Sequence, residues 1–349
     1  MKSKKIHRRD IIKILGTTGI ILASTPFINK VNSIPENLDS MNSVGMKPLG
    51  TPPIHGIDPN DIYFRNSVPA RQNPGFMSPM EFLTHFDYGK IITDSDGELK
   101  REFNLNVIPQ EITIAHNLSY PAWTFNGIVP GPTLRATVGD KLKINFGNGD
   151  SHSHNIHFHG IHSADMDGVF EIIPPGGSFT YEFTAEPFGI FPYHCHVLPL
   201  TKHVGKGLYG TLIIDPKKPR TKAKELVMVM NGFDIDFDNE NEFYTINGIP
   251  NYYVENPINL KLNEKIRIYL VNMTEFDQIN SFHLHGQLFH YYPNGTMLTP
   301  SEFTDTVIQC QGMRGILEFT YNKPGKYIFH AHQAEFAELG WLGIFNVES

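Results

Sequence analysis

Cysteine is almost missing from this chain, with two residues, Cys195 and Cys310, among 349. That excludes a disulfide-stapled fold. Basic residues are outnumbered 29 to 36, a formal charge of -7. Nucleic acid is therefore not the expected partner, since phosphate binding draws on clustered Lys and Arg. Beyond about residue 30 no apolar run approaches the roughly 20 residues that a bilayer span needs, so no membrane span is expected in a mature chain. Turn and strand formers are abundant instead, with 30 Gly, 25 Pro, 25 Phe and 14 Tyr. They suit many short strands joined by turns and speak against a helical protein. Histidine is the other surplus: 17 residues, most of them in tight clusters.

The N-terminus has a basic start followed by an uncharged apolar run from Ile14 to Ile28, the plan of a signal peptide. Arg8-Arg9-Asp10-Ile11-Ile12-Lys13 resembles a twin-arginine export signal, which implies export of an already folded protein. Residues 1–33 are read as this signal and 34–87 as an irregular arm or linker. The expected location is exported, periplasmic or extracellular.

From about Glu102 the pattern alternates at strand period, as in LRATVGDKLKINF and SFTYEFTA, with turn signals between. A first β domain is placed at 88–216. After the Pro-punctuated stretch Asp215-Pro216-Lys217-Lys218-Pro219, a second is placed at 223–349. The second repeats the first: TFNGIVPGPTLRATVGDKLKINFGN is echoed by TINGIPNYYVENPINLKLNEKIRIYLVN, NIHFHG by SFHLHG, and GIFPYHCH by GKYIFHAH. Duplication of one β-sandwich accounts for the echo.

Four His-x-His pairs fall at matched places in the repeat: His157/His159, His194/His196, His283/His285 and His330/His332. A His-x-His on a strand sends both imidazoles to one face. One such pair is commonly a structural or surface feature, but four in register with a repeat are poorly explained by chance. Imidazole suits copper, zinc and iron, and Cys195 between two histidines selects copper. With His154 and His203 it completes the His2Cys set of blue-copper centres.

These motifs are similar to those of two-domain multicopper oxidases, the small laccase-like group with its blue copper in the N-terminal domain, related to copper nitrite reductases. The resemblance covers roughly residues 100 to 349. It implies an all-β fold of two tandem cupredoxin-like Greek-key β-sandwiches and four coppers per chain: one type 1, one type 2 and two type 3. It also implies a ligand set. His154, Cys195 and His203 match the type 1 ligands, and the axial position is the non-ligating Leu208. His157 and His283 match type 2; His159, His194, His196, His285, His330 and His332 match type 3. Leu208 in place of a weak axial sulfur should raise the redox potential. Asp167, in ADMDG, reads equally as a proton-delivering acid or as a turn residue. Asn294 stands at about the place where several relatives carry an acid. His162 and His290 read as packing or surface residues that could support ligands, and Cys310 as a buried thiol.

Such a chain takes single electrons from a small reducing substrate or a redox-protein donor and reduces O2 to water. A copper nitrite reductase is the alternative, favoured by the Cys195–His203 spacing and the ending FAELGWLGIF. Against it, His157 stands where that family has an Asp, and the extra histidines exceed its needs. A non-catalytic copper or electron-transfer protein comes last. Half of the cluster histidines lie in each domain, so resemblance to small laccases implies a head-to-tail homotrimer with clusters between subunits.

Overall fold

The structure is a computed structural model that describes residues 77–349 apart from positions 96, 116 and 117. The signal-like segment, most of the arm, and His7, His55 and His116 lie outside the described residues. Among the described residues no helix is long and apolar enough to cross a membrane.

Strands dominate, and alternation explains them. In β5 (Lys141–Asn148) the buried positions are Leu142, Ile144, Phe146 and Asn148, with less buried residues between. Along its two edges β5 pairs with β2 (Leu99–Ala115) in parallel and with β7 (Ser178–Thr184) antiparallel. The opposing sheet runs β4 (Thr133–Thr137), β9 (Tyr209–Asp215), β8 (Gly189–His194), β6 (His157–Phe158). Between the sheets lies a core that includes Phe103, Phe146, Tyr181, Tyr193 and Cys195.

The second half repeats this arrangement. β12 (Ile258–Lys261) pairs with β20 (Leu342–Glu348) in parallel, as β4 pairs with β9. β14 (Ile279–Leu284) and β19 (Gly325–His330) then take the places of β6 and β8. The registers coincide: His157 pairs with His194, and His283 with His330. The echo in the sequence is thus an echo of sheet order, and the all-β double sandwich is as expected.

A third apolar cluster joins the halves, with Ile114, Tyr120, Ile190 and Tyr209 meeting Val227, Phe233, Tyr269 and Ile316. The last part of the arm is also ordered into this contact. A helical turn, α1 (Pro79–Phe82), is closed by a Ser78–Glu81 capping box, which satisfies exposed amide donors. Phe82 enters the shared core and Leu83 the core of the second half. One turn is too short to leave a periodic trace, which is why this stretch reads as irregular in the sequence.

Beside the shared core sits an ion network. Arg135 donates to Asp215 (2.7 Å) and to Glu225 (2.7 Å), Arg267 donates to Glu225 (2.9 Å) and Glu318 (2.7 Å), and Tyr269 donates to Glu225 (2.6 Å). Burial works to raise the Glu225 pKa, but the Arg135 and Tyr269 hydrogen bonds outweigh it and bring it down to about 2. A folded pKa below the ordinary 4.5 means stability that is present above that value and lost as pH falls through the folded one. Glu225→Gln is expected to cost about 2–3 kcal/mol at neutral pH, because it removes the carboxylate charge that two buried guanidinium groups share and leaves Arg135 only Asp215 and Arg267 only Glu318. Denaturant unfolding at a series of pH values checks this: the deficit should shrink as acidity carries the wild type from pH 4.5 toward 2.

Candidate metal centre

Cys195 follows directly on β8, and His203 lies on the short helix α2 (Leu200–Gly205). His154 comes from the segment before β6, bridged to Ile173. The three converge: His154 Nδ1 and His203 Nδ1 are 3.1 Å apart, and Cys195 Sγ lies 3.2 Å from His203 Nδ1 and 3.7 Å from His154 Nδ1. All three are buried. Leu208 is fully buried, and its carbonyl accepts the Cys195 amide at 3.0 Å.

The protons on the imidazoles follow from their partners, inferred from hydrogen bonding. His154 Nε2 lies 2.8 Å from the buried Asp150 carboxylate, so its proton sits there and Nδ1 turns a lone pair into the triangle. Burial pushes His203 down to about 4 and the Cys195 thiol up to about 11. One thiol proton cannot serve two neutral imidazole lone pairs that stand 3.1 Å apart, so the triangle holds a lone pair in excess. A soft cation that displaces the thiol proton binds all three donors.

A second group comprises His157, His159 and His194, and a third His283, His285 and His330. The same proton logic holds in both. His194 Nδ1 donates to the Cys195 carbonyl (2.9 Å) and its Nε2 faces His159 Nε2 at 3.3 Å. His330 Nδ1 donates to the Ala331 carbonyl (2.6 Å) and its Nε2 faces His285 Nε2 at 3.0 Å. His157 Nδ1 donates to Asp167 O (2.9 Å), and His283 Nδ1 lies 3.1 Å from Asp305 O and 2.8 Å from Thr306 Oγ1. Backbone acceptors thus pin the δ protons and aim the ε lone pairs outward, as at metal-ligating histidines. Burial also pushes His159 down to about 3 and His194 to about 4, keeping them neutral. His196 and His332 stand next to these groups, their rings 5.5 Å from His157 and 5.1 Å from His283. Among the described residues no hydrogen bond or ring contact joins the two half-groups.

A family model described as "Multicopper oxidase" matches residues 106–219, and a second of the same description matches 223–349. The chain belongs to the multicopper oxidases. A crystal structure of a multicopper oxidase is 51% identical, with a TM-score of 0.76, over 78% of this chain and 97% of that one. The blue copper oxidase from Nitrosomonas europaea is 28% identical with a TM-score of 0.63, covering 70% of this chain and 85% of that one. Among curated proteins, the copper-containing nitrite reductase of Neisseria meningitidis is 28% identical over 277 residues, 73% of this chain and 70% of the relative. The chain is a copper oxidoreductase of the laccase-like kind, for which O2 and a reducing substrate are the reactants.

Several residues that support the ligands of this oxidase carry no motif of their own in the sequence. Asp150 holds His154, while Asn155 Oδ1 accepts the His196 amide at 2.7 Å and lies 3.7 Å from Cys195 Sγ. Ser281 Oγ does the same for the His332 amide at 2.7 Å, so the device is duplicated with a different side chain. Asp167 does reach a histidine: its Oδ1 is 3.3 Å from His157 Nδ1 and 3.9 Å from His162 Nε2. Gly168, at φ +78°, permits this approach, because a Cβ there would fall on the Ile156 carbonyl. In the second half the acid beside the histidine is Asp305, its Oδ1 3.9 Å from His283 Nδ1. Asn294 instead occupies a left-handed turn whose carbonyl accepts the Ile190 amide. His290 is exposed and leans on Phe303, with ring centroids 4.6 Å apart and planes tilted by 32°. Cys310 corrects the expectation of a buried thiol: it is exposed, on the outward-facing side of the edge strand β17 (Thr306–Cys310).

Asp150→Asn is expected to weaken copper binding at the Cys195 site by about 10–100-fold, since the carboxylate both orients His154 and strengthens it as a donor. It should also raise the potential of the blue centre. Competitive chelator titration and a redox titration read the two effects.

Proposed function

We propose that the chain binds four coppers and reduces O2 to water with electrons taken one at a time from a reducing substrate. Bound copper supplies one-electron redox chemistry at a mononuclear centre and multi-electron O2 chemistry at a trinuclear one. His154, Cys195 and His203 would hold the type 1 ion, with Leu208 as its non-ligating axial neighbour. His157 and His283 would hold type 2, and His159, His194, His196, His285, His330 and His332 the type 3 pair. The residues present fit this set: acceptors at Nδ1 fix the proton of His157, His194, His283 and His330 there and leave each Nε2 lone pair free to ligate.

The observation that carries the reading is the covalent adjacency of the centres. Cys195 is flanked by His194 and His196, so an electron at the sulfur has a through-bond route to the cluster imidazoles. Asp167 would hold or deliver a proton beside His157 Nδ1, a role supported by the 3.3 Å between its Oδ1 and that nitrogen. Domains at 88–216 and 223–349 would each contribute four cluster histidines.

The halves would meet between subunits of a head-to-tail homotrimer. Supporting this, the outward face that carries His283 and His330 also carries Ile279, Ile308 and Ile328, which alternate with buried neighbours. Around the first half, Phe170 and Leu198 are 85% and 80% exposed. Apolar side chains gathered around unpaired ligands mark a surface meant for covering. Export through a twin-arginine-type signal remains part of the proposal on the strength of Arg8-Arg9.

The test is rate against acceptor: O2 consumption at an oxygen electrode compared with anaerobic nitric oxide release from nitrite. O2 should be the faster acceptor. Faster nitrite turnover would transfer the assignment to the reductase reading.

A further inference from the structure

Most of the described arginines are neutralised by carboxylates. Arg101 donates to Asp140, Arg135 to Asp215 and Glu225, and Arg267 to Glu225 and Glu318. Arg220 donates to the carbonyls of Gly295 and Met297 but feels Glu318. Arg314, the half-buried first residue of β18 (Arg314–Phe319), is different. Its Nε donates to the Ile190 carbonyl at 2.9 Å, and its Nη1 reaches toward the Gly312 carbonyl at 3.4 Å. The guanidinium carbon stands 5.6 Å from the centre of the Phe191 ring. Burial holds its pKa below the ordinary arginine range, and the only opposing attraction among the described residues comes from the Tyr291 phenol. A cation taken out of water without a counter-ion costs stability. Its presence calls for a role beyond holding the halves together.

The position of this charge suggests the role. Ile190 and Phe191 lie on β8, the strand that ends at His194, and the His159 amide donates to Pro192 on the same strand at 3.0 Å. From the second half, the turn at Gly312 lies against His159: a Cβ on Gly312 would stand 3.5 Å from His159 Cε1. Arg314 thus grips both the strand and the turn that flank this ligand. After burial and the rings of His194 and His157, the Arg314 charge is the next influence keeping the His159 imidazole neutral.

We propose that Arg314 is a positioning residue of the trinuclear centre, whose unneutralised guanidinium, held over Phe191 beside His159, draws negative charge to copper bound there. This rests on the oxidase reading above. O2 takes up four electrons and four protons to give two waters, so negative charge builds at the cluster until the protons arrive. A fixed cation in a half-buried setting lowers the energy of that charge with no reorganisation at the moment it forms. A guanidinium has no lone pair to offer a metal, so Arg314 acts through its field at His159 and not as a ligand.

Azide, a small anion that gives a charge-transfer band when it binds copper, tests this on the copper-loaded full chain without turnover. Arg314→Gln keeps a donor for the Ile190 carbonyl and removes the charge; it should bind azide about five- to tenfold more weakly than wild type. Arg314→Met, apolar and of similar length, is a second neutral variant and should lose affinity in the same way. Arg314→Lys keeps the charge without the planar fork, and should stay within about twofold of wild type. The blue band should persist in all three, because the Cys195 triangle does not include Arg314. Azide affinity that is unchanged in the neutral variants would overturn the proposal. So would an Arg314→Lys protein that loses as much as they do, which would make Arg314 a clamp between the halves and nothing more. Azide binding that is indifferent to residue 314 leaves the oxidase reading intact. A copper-loaded wild type with no azide band would refute the cluster itself, and this inference with it.

Discussion

Replacing Cys195 with serine is expected to bleach the protein and stop steady-state O2 reduction. The sulfur is the one soft donor in the His154–Cys195–His203 triangle, and blue-copper colour and potential depend on the Cu–thiolate bond. A serine oxygen keeps the volume, so the fully buried site should still fold around it. His194 and His196 keep their geometry through the Cys195 carbonyl and Asn155, which the substitution leaves in place. The variant should therefore still bind copper at the cluster histidines. Visible absorption, copper analysis and oxygen uptake on the same preparation read all three. A Cys195→Ser protein that stays blue would remove Cys195 from the site.

Mixing two dead proteins should restore activity. His157→Ala damages only the first-half group, and His283→Ala only the second. In a head-to-tail trimer each cluster takes one half from each of two neighbouring subunits. Random reassembly of equal amounts then leaves about one interface in four with both halves intact, or about a quarter of wild-type activity. A cluster closed within one chain would recover nothing, because every chain carries a damaged half. If the mixture stays inactive although mixed trimers form, the inter-subunit arrangement is wrong.

Much of this site was legible because its periodicities are short. A His-x-His on a strand places both rings on one side whatever the rest of the fold does, and duplication showed which pairs correspond. The pairing of His157 with His194 and of His283 with His330 follows from that repeat. The supporting groups were hidden for the opposite reason. Asp305 lies 22 residues beyond His283 and reaches it only because β17 pairs with β14. Trp123 packs on His154 and His203 from a strand 31 and 80 residues upstream of them, contacts that only sheet packing creates. Asp150 stands four residues before His154, but in a loop, where such spacing carries no facial rule. Cys310 reads as buried because a free cysteine without a paired ligand behaves as a small apolar side chain, whereas period two along an edge strand turns it outward with Ile308.

Copper content per chain, measured with an electron paramagnetic resonance spectrum on the same sample, bears most directly on the central claim. The account predicts about four coppers, as required by ten histidines and one cysteine in three groups: a blue type 1 signal, a type 2 signal, and a silent coupled pair. Two coppers per chain, one blue and one type 2 with no silent pair, would contradict it and leave a mononuclear catalytic site in place of the trinuclear cluster.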